Sequence, residues 1–98
     1  MIITLSPQDS SVDTTISIDG QVLTYNGADM DFSGVTLDGE VEGEDPVIGL
    51  IKNINGVIHV SILYPYNRLT SDAMQSINPD DYIFNVTSGE VPSPIQLK

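Results

Sequence analysis

Thr14-Thr15-Ile16-Ser17-Ile18-Asp19-Gly20-Gln21-Val22-Leu23-Thr24-Tyr25-Asn26-Gly27-Ala28-Asp29-Met30-Asp31-Phe32 is the stretch that decides the fold class. Two turn dipeptides, Asp19-Gly20 and Asn26-Gly27, punctuate runs of β-prone residues. Such pairs supply the positive φ values that two-residue hairpin loops require. With Asp19-Gly20 as the loop, Ile18 faces Gln21, Ile16 faces Leu23 and Thr14 faces Tyr25. With Asn26-Gly27 as the next loop, Tyr25 faces Ala28, Leu23 faces Met30 and Gln21 faces Phe32. Both registers put Ile16, Ile18, Leu23, Tyr25, Ala28, Met30 and Phe32 on one side. Thr15, Ser17, Thr24, Asp29 and Asp31 take the other side, with Val22 as the exception. This is the alternation of a three-stranded meander with one buried face. A slip of one residue would turn every side chain over, so the agreement of two turns fixes the face.

A third turn, Asn55-Gly56, pairs residues 48–54 with residues 57–63. One face of this hairpin holds Ile51, Ile58, Val60, Ile62 and Tyr64. The other holds Ile48, Leu50, Ile54, Val57 and Leu63, interrupted by Lys52, His59 and Ser61. A hairpin apolar on both faces is either central in a sandwich or part of a contact between molecules. The set Ile51, Ile58, Val60, Ile62 and Tyr64 is the candidate apolar contact.

Ile2–Leu5 reads as a first strand stopped by Ser6-Pro7, and Pro65 as the end of the second strand of the third hairpin, since proline brings no donor to a ladder. Tyr82–Thr87 reads as a last strand. Residues 70–77, with Thr70 or Ser71 as cap, read as one or two helical turns closed by Asn78-Pro79. Residues 34–46 form an acidic loop without apolar rhythm, and residues 88–98, with Pro92 and Pro94, an extended tail. The expected fold is all-β, a small antiparallel β-sandwich or rolled sheet of about six or seven strands in one domain over residues 1–98.

Composition excludes several functions. The chain of 98 residues carries three Lys+Arg against fourteen Asp+Glu, a net charge of −11. Three cations are too few to displace counterions from phosphate backbones, so nucleic acid is not an expected partner. An anionic membrane surface is disfavoured for the same reason. No cysteine is present, which removes disulfides, thiolate metal sites and cysteine nucleophiles together. Met1 leads directly into Ile2-Ile3-Thr4-Leu5 with no basic segment or long apolar run, so the expected location is the cytoplasm where the protein is made, or a particle that carries it elsewhere.

The sharpest motif is Asp29-x-Asp31-x-Ser33-Gly34 followed, after five intervening residues, by Glu40. It fits the spacing of a calcium loop with oxygen ligands Asp29, Asp31, Ser33 and Glu40. Its context disagrees: such a loop lies between helices, Asp29 follows a hairpin turn, and Leu37 occupies the ninth position, where a polar ligand is usual. A calcium-binding β module is therefore the second alternative.

Asp38, Glu40, Glu42, Glu44 and Asp45 fall together with no intervening cation. With Asp29 and Asp31 they make half of the fourteen acidic side chains. They are either a solvated loop or a candidate surface for a basic partner, including mimicry of a phosphate backbone. His59 is the only histidine. It lies mid-strand across from Lys52, with no cysteine available and no serine-elbow motif nearby, as a strand residue does. Tyr64-Pro65-Tyr66 is an aromatic-proline patch that could cover a core edge or stack on a sugar or peptide. Asn85-Val86-Thr87 has the form of a glycosylation acceptor, which matters only in a secreted eukaryotic protein. No phosphate-binding loop, dinucleotide fingerprint, zinc site or catalytic triad is spelled out. No catalytic residue and no cofactor is expected.

Ile3-Thr4-Leu5-Ser6-Pro7-Gln8, Asp19-Gly20-x-Val22-Leu23-Thr24, Asn26-Gly27, Asp31-Phe32-Ser33 and the run Asn55-Gly56-Val57-Ile58-His59-Val60-Ser61-Ile62-Leu63-Tyr64-Pro65 resemble a group of short phage and prophage proteins. These are uncharacterised proteins encoded among the tail-morphogenesis genes of long-tailed phages. The acidic loop and the segment after Tyr66 lie outside the resemblance. It implies a non-enzymatic bacteriophage structural or assembly protein, associated with the tail and acting through protein–protein contacts. The partners would be phage tail proteins or a second copy, in the host bacterial cytoplasm or incorporated in the virion. The family carries no established catalytic residues, so none is transferred. The alternative is an acidic phage-encoded inhibitor that captures a basic host protein.

Overall fold

Ile58, Val60, Ile62 and Tyr64 are buried while the residues between them are not, the period of two that defines a strand with one face inward. The computed structural model describes residues 1–98. Nine strands run in chain order: β1 (Ile2–Ser10), β2 (Ile16–Asp19), β3 (Val22–Tyr25), β4 (Ala28–Asp31), β5 (Glu40–Glu42), β6 (Leu50–Ile54), β7 (Val57–Asn67), β8 (Ile83–Asn85) and β9 (Ser88–Glu90). The one helical piece is a 3-10 turn at Pro79–Tyr82, capped by Asn78, whose side chain accepts from Asp80 N–H at 3.1 Å. The fold is all-β. One sheet has the order β5-β6-β7-β1-β8 and the other β4-β3-β2-β9.

The two sheets enclose a single core. The first sheet contributes Ile3, Leu5, Ile51, Ile58, Val60, Ile62 and Tyr64. The second contributes Ile16, Ile18 and Leu23, with Phe32, Val35, Val47 and Val91 from the flanking segments. Ile3, Leu23, Ile58 and Ile62 are the largest fully buried side chains. Each contributes roughly 1.5–3 kcal/mol relative to an exposed position. Two hydroxyls stitch the layers. Tyr25 donates to the Leu63 carbonyl at 3.0 Å, and Thr14 donates to the Pro65 carbonyl at 2.6 Å.

The meander has the face read from its turns, but the first register differs by two residues. Asp19 pairs with Val22, Ile18 with Leu23 and Ile16 with Tyr25. The loop is Gly20-Gln21, with positive φ at Gly20 (62°) and not at Gln21, the pattern of a type II′ turn. A shift of two preserves the face, so Ile16, Ile18, Leu23 and Phe32 are core as expected and Tyr25 and Met30 pack against it, while Ala28, beside the turn, is exposed. The second turn keeps its register: Tyr25 pairs with Ala28 and Leu23 with Met30, and Asn26 and Gly27 both have positive φ, as a type I′ turn requires.

Neither Pro7 nor Pro65 ends a strand. β1 and β7 run in parallel from Ile2↔His59 to Ser10↔Asn67. Met1 and Val86 exchange two 3.0 Å bonds, so odd-numbered residues of β1 turn their N–H groups toward β8. β8 stops at Thr4, and the missing donor of Pro7 therefore faces an open edge. Leu63 N–H reaches away from β1 to the Pro46 carbonyl at 2.9 Å. Pro65 turns its nitrogen to that same side, beyond the last paired residue.

Three further expectations are corrected. The sheets are built from nine strands and include a parallel pair, because β1 meets β7 across most of the chain's length. Residues 70–77 are not helical: Ser71 forms an isolated bridge with Leu97. Residues 88–98 are not a free tail. Ser88–Glu90 completes the second sheet against β2, Val91 N–H donates to the Ile16 carbonyl at 2.8 Å, and the Val91 side chain enters the core.

Candidate functional site

Both faces of the β6–β7 hairpin are apolar, and only one is consumed by the core. Ile51, Ile58, Val60, Ile62 and Tyr64 are between 0 and 5% exposed, so the expected contact set is the interior of the domain. The correction has a simple cause. Residues of one strand alternate between faces, and the second sheet covers the face that holds these five. The face left open carries Ile48, Leu50, Ile54 and Val57, exposed by 42, 45, 44 and 37%. Lys52 and His59 sit opposite one another between them, as direct partners in the ladder. The same face holds a shallow depression of about 390 Å³, floored by Ile2, Thr4, His59 and Ser61 and bordered by Ile48, Leu50 and Lys52.

A second concavity opens where the edges of the two sheets come together, at β4 and β5. Met30, Phe32, Val35, Val41, Val47 and Ile51 form its apolar lining, Asp31, Glu42, Glu44 and Asp45 its acidic part, around about 440 Å³. β5 pairs only with β6, and its outer edge is open.

Asp38, Glu40, Glu42, Glu44 and Asp45 are all exposed. The stretch is not wholly irregular, since Glu40–Glu42 is strand β5 and Asp38 accepts from Asn55 N–H at 3.3 Å. The calcium loop is corrected. Asp29 and Asp31 lie on β4, Glu40 lies on an edge strand of the other sheet, and the helix-loop-helix frame that the spacing needs is not there. Asp29 accepts from the Thr24 hydroxyl at 2.6 Å and Asp31 from Ser33 N–H at 2.9 Å. That backbone donor, with the Ser33 hydroxyl, holds the Asp31 carboxyl below the usual aspartate range. No group of three or more His, Asp or Glu side chains is arranged to hold a metal ion.

His59 is a half-buried strand residue on the open face. Tyr64 belongs to the core, while Tyr66 is partly exposed beside Asp13, Asn67 and Thr70 in a hollow of about 270 Å³. Asn85 is an exposed residue of β8 opposite Ile2. No helix is long and apolar enough to cross a membrane.

No family model, curated protein or solved structure matches the chain. The sites therefore rest on geometry alone. Of these concavities, the one on the open face is legible as the second apolar side of the third hairpin. The edge crevice leaves little trace in the sequence. Its signal was the alternation Glu40-Val41-Glu42, a strand too short to stand out inside an acidic run.

Proposed function

We propose that this domain is a non-enzymatic bacteriophage structural or assembly protein, associated with the tail, and that it acts through protein–protein contact on the outer face of the five-stranded sheet. One observation carries the reading. Ile48, Leu50, Ile54 and Val57 stand exposed on a single face of one hairpin, with no helix or loop laid over them. Four exposed aliphatic side chains on one face of a small domain mark an interaction site more often than single residues scattered over the surface do. Lys52 and His59 at its centre give the contact polar registration, and the rim is acidic at Glu40 and Glu42, which pair with Lys52 and Leu50. The resemblance to phage proteins encoded among tail-morphogenesis genes supplies the context: tail proteins or a second copy as the partner, and the host cytoplasm or the virion as the place.

Fractionation of phage particles and tail assembly intermediates tests the proposal. The protein is expected to co-sediment with one of them. Its absence from both contradicts the reading.

A further inference from the structure

We propose that the open edge of β5, which borders the outer face, is a second docking site that takes an extended, cationic segment of a partner protein as an added strand. Three features of the edge converge on that occupant.

The first is the backbone. Asn53 N–H donates to the Gly39 carbonyl at 3.0 Å, and Gly43 N–H donates to the Gly49 carbonyl at 2.8 Å. Residues 39 and 43 thus turn their polar groups inward to the sheet. By the alternation of a strand, Glu40 and Glu42 turn theirs outward, where no strand lies. Two N–H and two C=O groups stand ready for a ladder, the arrangement by which sheet edges capture extended peptides.

The second is the pattern of side chains. Glu40 and Glu42 take the outer-face positions of the strand, Glu42 also bordering the crevice, and Val41 is on the core face, over the crevice shared with Met30, Phe32 and Val35. A strand laid against β5 places two residues beside the carboxylates and the one between them over the crevice. The complementary pattern is cation, apolar residue, cation. Beside Glu40, charge would then alternate from the partner's cation through Glu40 to Lys52.

The third is charge exclusion. A second copy pairing through the same edge would bring glutamates against glutamates. The chain's only cations are Lys52, Arg68 and Lys98, too far apart to supply the alternating pattern. The occupant is therefore a different protein, and the net charge of −11 favours its approach.

The probe is a capped peptide of alternating lysine and valine, titrated into the full-length, isotope-labelled protein. The expected result is shifted and exchange-protected backbone amides at Glu40 and Glu42, with affinity that falls as salt is added. The double variant Glu40→Gln, Glu42→Gln is expected to bind about three- to tenfold more weakly, as loss of two exposed charge pairs implies. Glu42→Pro removes an outward N–H without touching a ladder bond to β6 and is expected to abolish the amide protection. If that variant melts early, the glutamine pair, which alters only exposed side chains, carries the test alone. The inference is overturned by absence of binding, by equal binding of an alternating glutamate–valine peptide, or by wild-type affinity in the glutamine pair. Shifts centred on Leu50 and Ile54 overturn it as well, and leave the outer-face reading standing.

Discussion

Asn53 is tied to Val35 across the interior: its side-chain amide donates to the buried Val35 carbonyl at 2.9 Å, and its side-chain oxygen accepts from Gly56 N–H at 2.9 Å. One buried polar residue therefore holds the segment before β5 against the turn between β6 and β7. It sits at a core-facing strand position, where an aliphatic residue would fit the alternation of β6.

Asn53→Leu is expected to lower stability by about 1–3 kcal/mol, because it strands the Val35 carbonyl without its donor. Urea unfolding should show a lower midpoint at unchanged slope. A neutral or stabilising result would mean that water replaces the amide.

Ile62→Ala and Leu50→Ala separate the two faces of the third hairpin. Ile62 is 0% exposed, and its truncation is expected to cost about 2–5 kcal/mol. Leu50 is 45% exposed on the open face, and its truncation should stay within about 0.5 kcal/mol. Comparable losses at both sites in denaturant melts would contradict the assignment of core and surface.

Gly43→Ala probes the close approach that bends the acidic segment back on the sheet. A Cβ there would collide with the Val47 side chain, 2.8 Å from its Cβ, and would stand 3.2 Å from the Gly49 carbonyl oxygen. Val47 is buried, so it has little room to retreat. A loss of about 1–3 kcal/mol is expected from overpacking, read as a lower melting temperature.

Tyr25 and Asp31 give the pH dependence opposite limbs. Burial first, and then the charge of Asp45, raise the Tyr25 hydroxyl above its ordinary value of 10.0, against the lowering effect of Thr14. A raised folded-state value means that stability is complete below the ordinary tyrosine range and is lost as pH rises through the folded value. Alkaline unfolding should therefore shift in Tyr25→Phe, which has nothing to ionise there. Asp31 is lowered, so its contribution is present above the ordinary aspartate value of 3.8 and disappears as pH falls below it. Asp31→Asn is expected to flatten the acid limb. Circular dichroism across both limbs checks the two signs.

The sequence exposed the local part of this fold and hid the distant part. Asn26-Gly27 and Asn55-Gly56 set their hairpins correctly because the dipeptide is the loop. Asp19-Gly20 misled by two residues, since glycine serves the second place of one turn type and the first place of another. The parallel pairing of β1 with β7 leaves no trace in either segment alone, and Pro7 and Pro65 look like strand ends until the open edges beside them are known. At the third hairpin both faces read as apolar, and only the position of the second sheet decides that Ile62 is core and Leu50 is surface.

The most direct test of the outer-face proposal is a pull-down from phage-producing host cells, washed at rising salt and read by mass spectrometry. Wild type is compared with the double variant Leu50→Lys, Val57→Lys, once both are shown to melt alike. The account predicts phage tail proteins retained on wild type at high salt and lost from the variant. Tail proteins captured equally by both, or by neither, would contradict it.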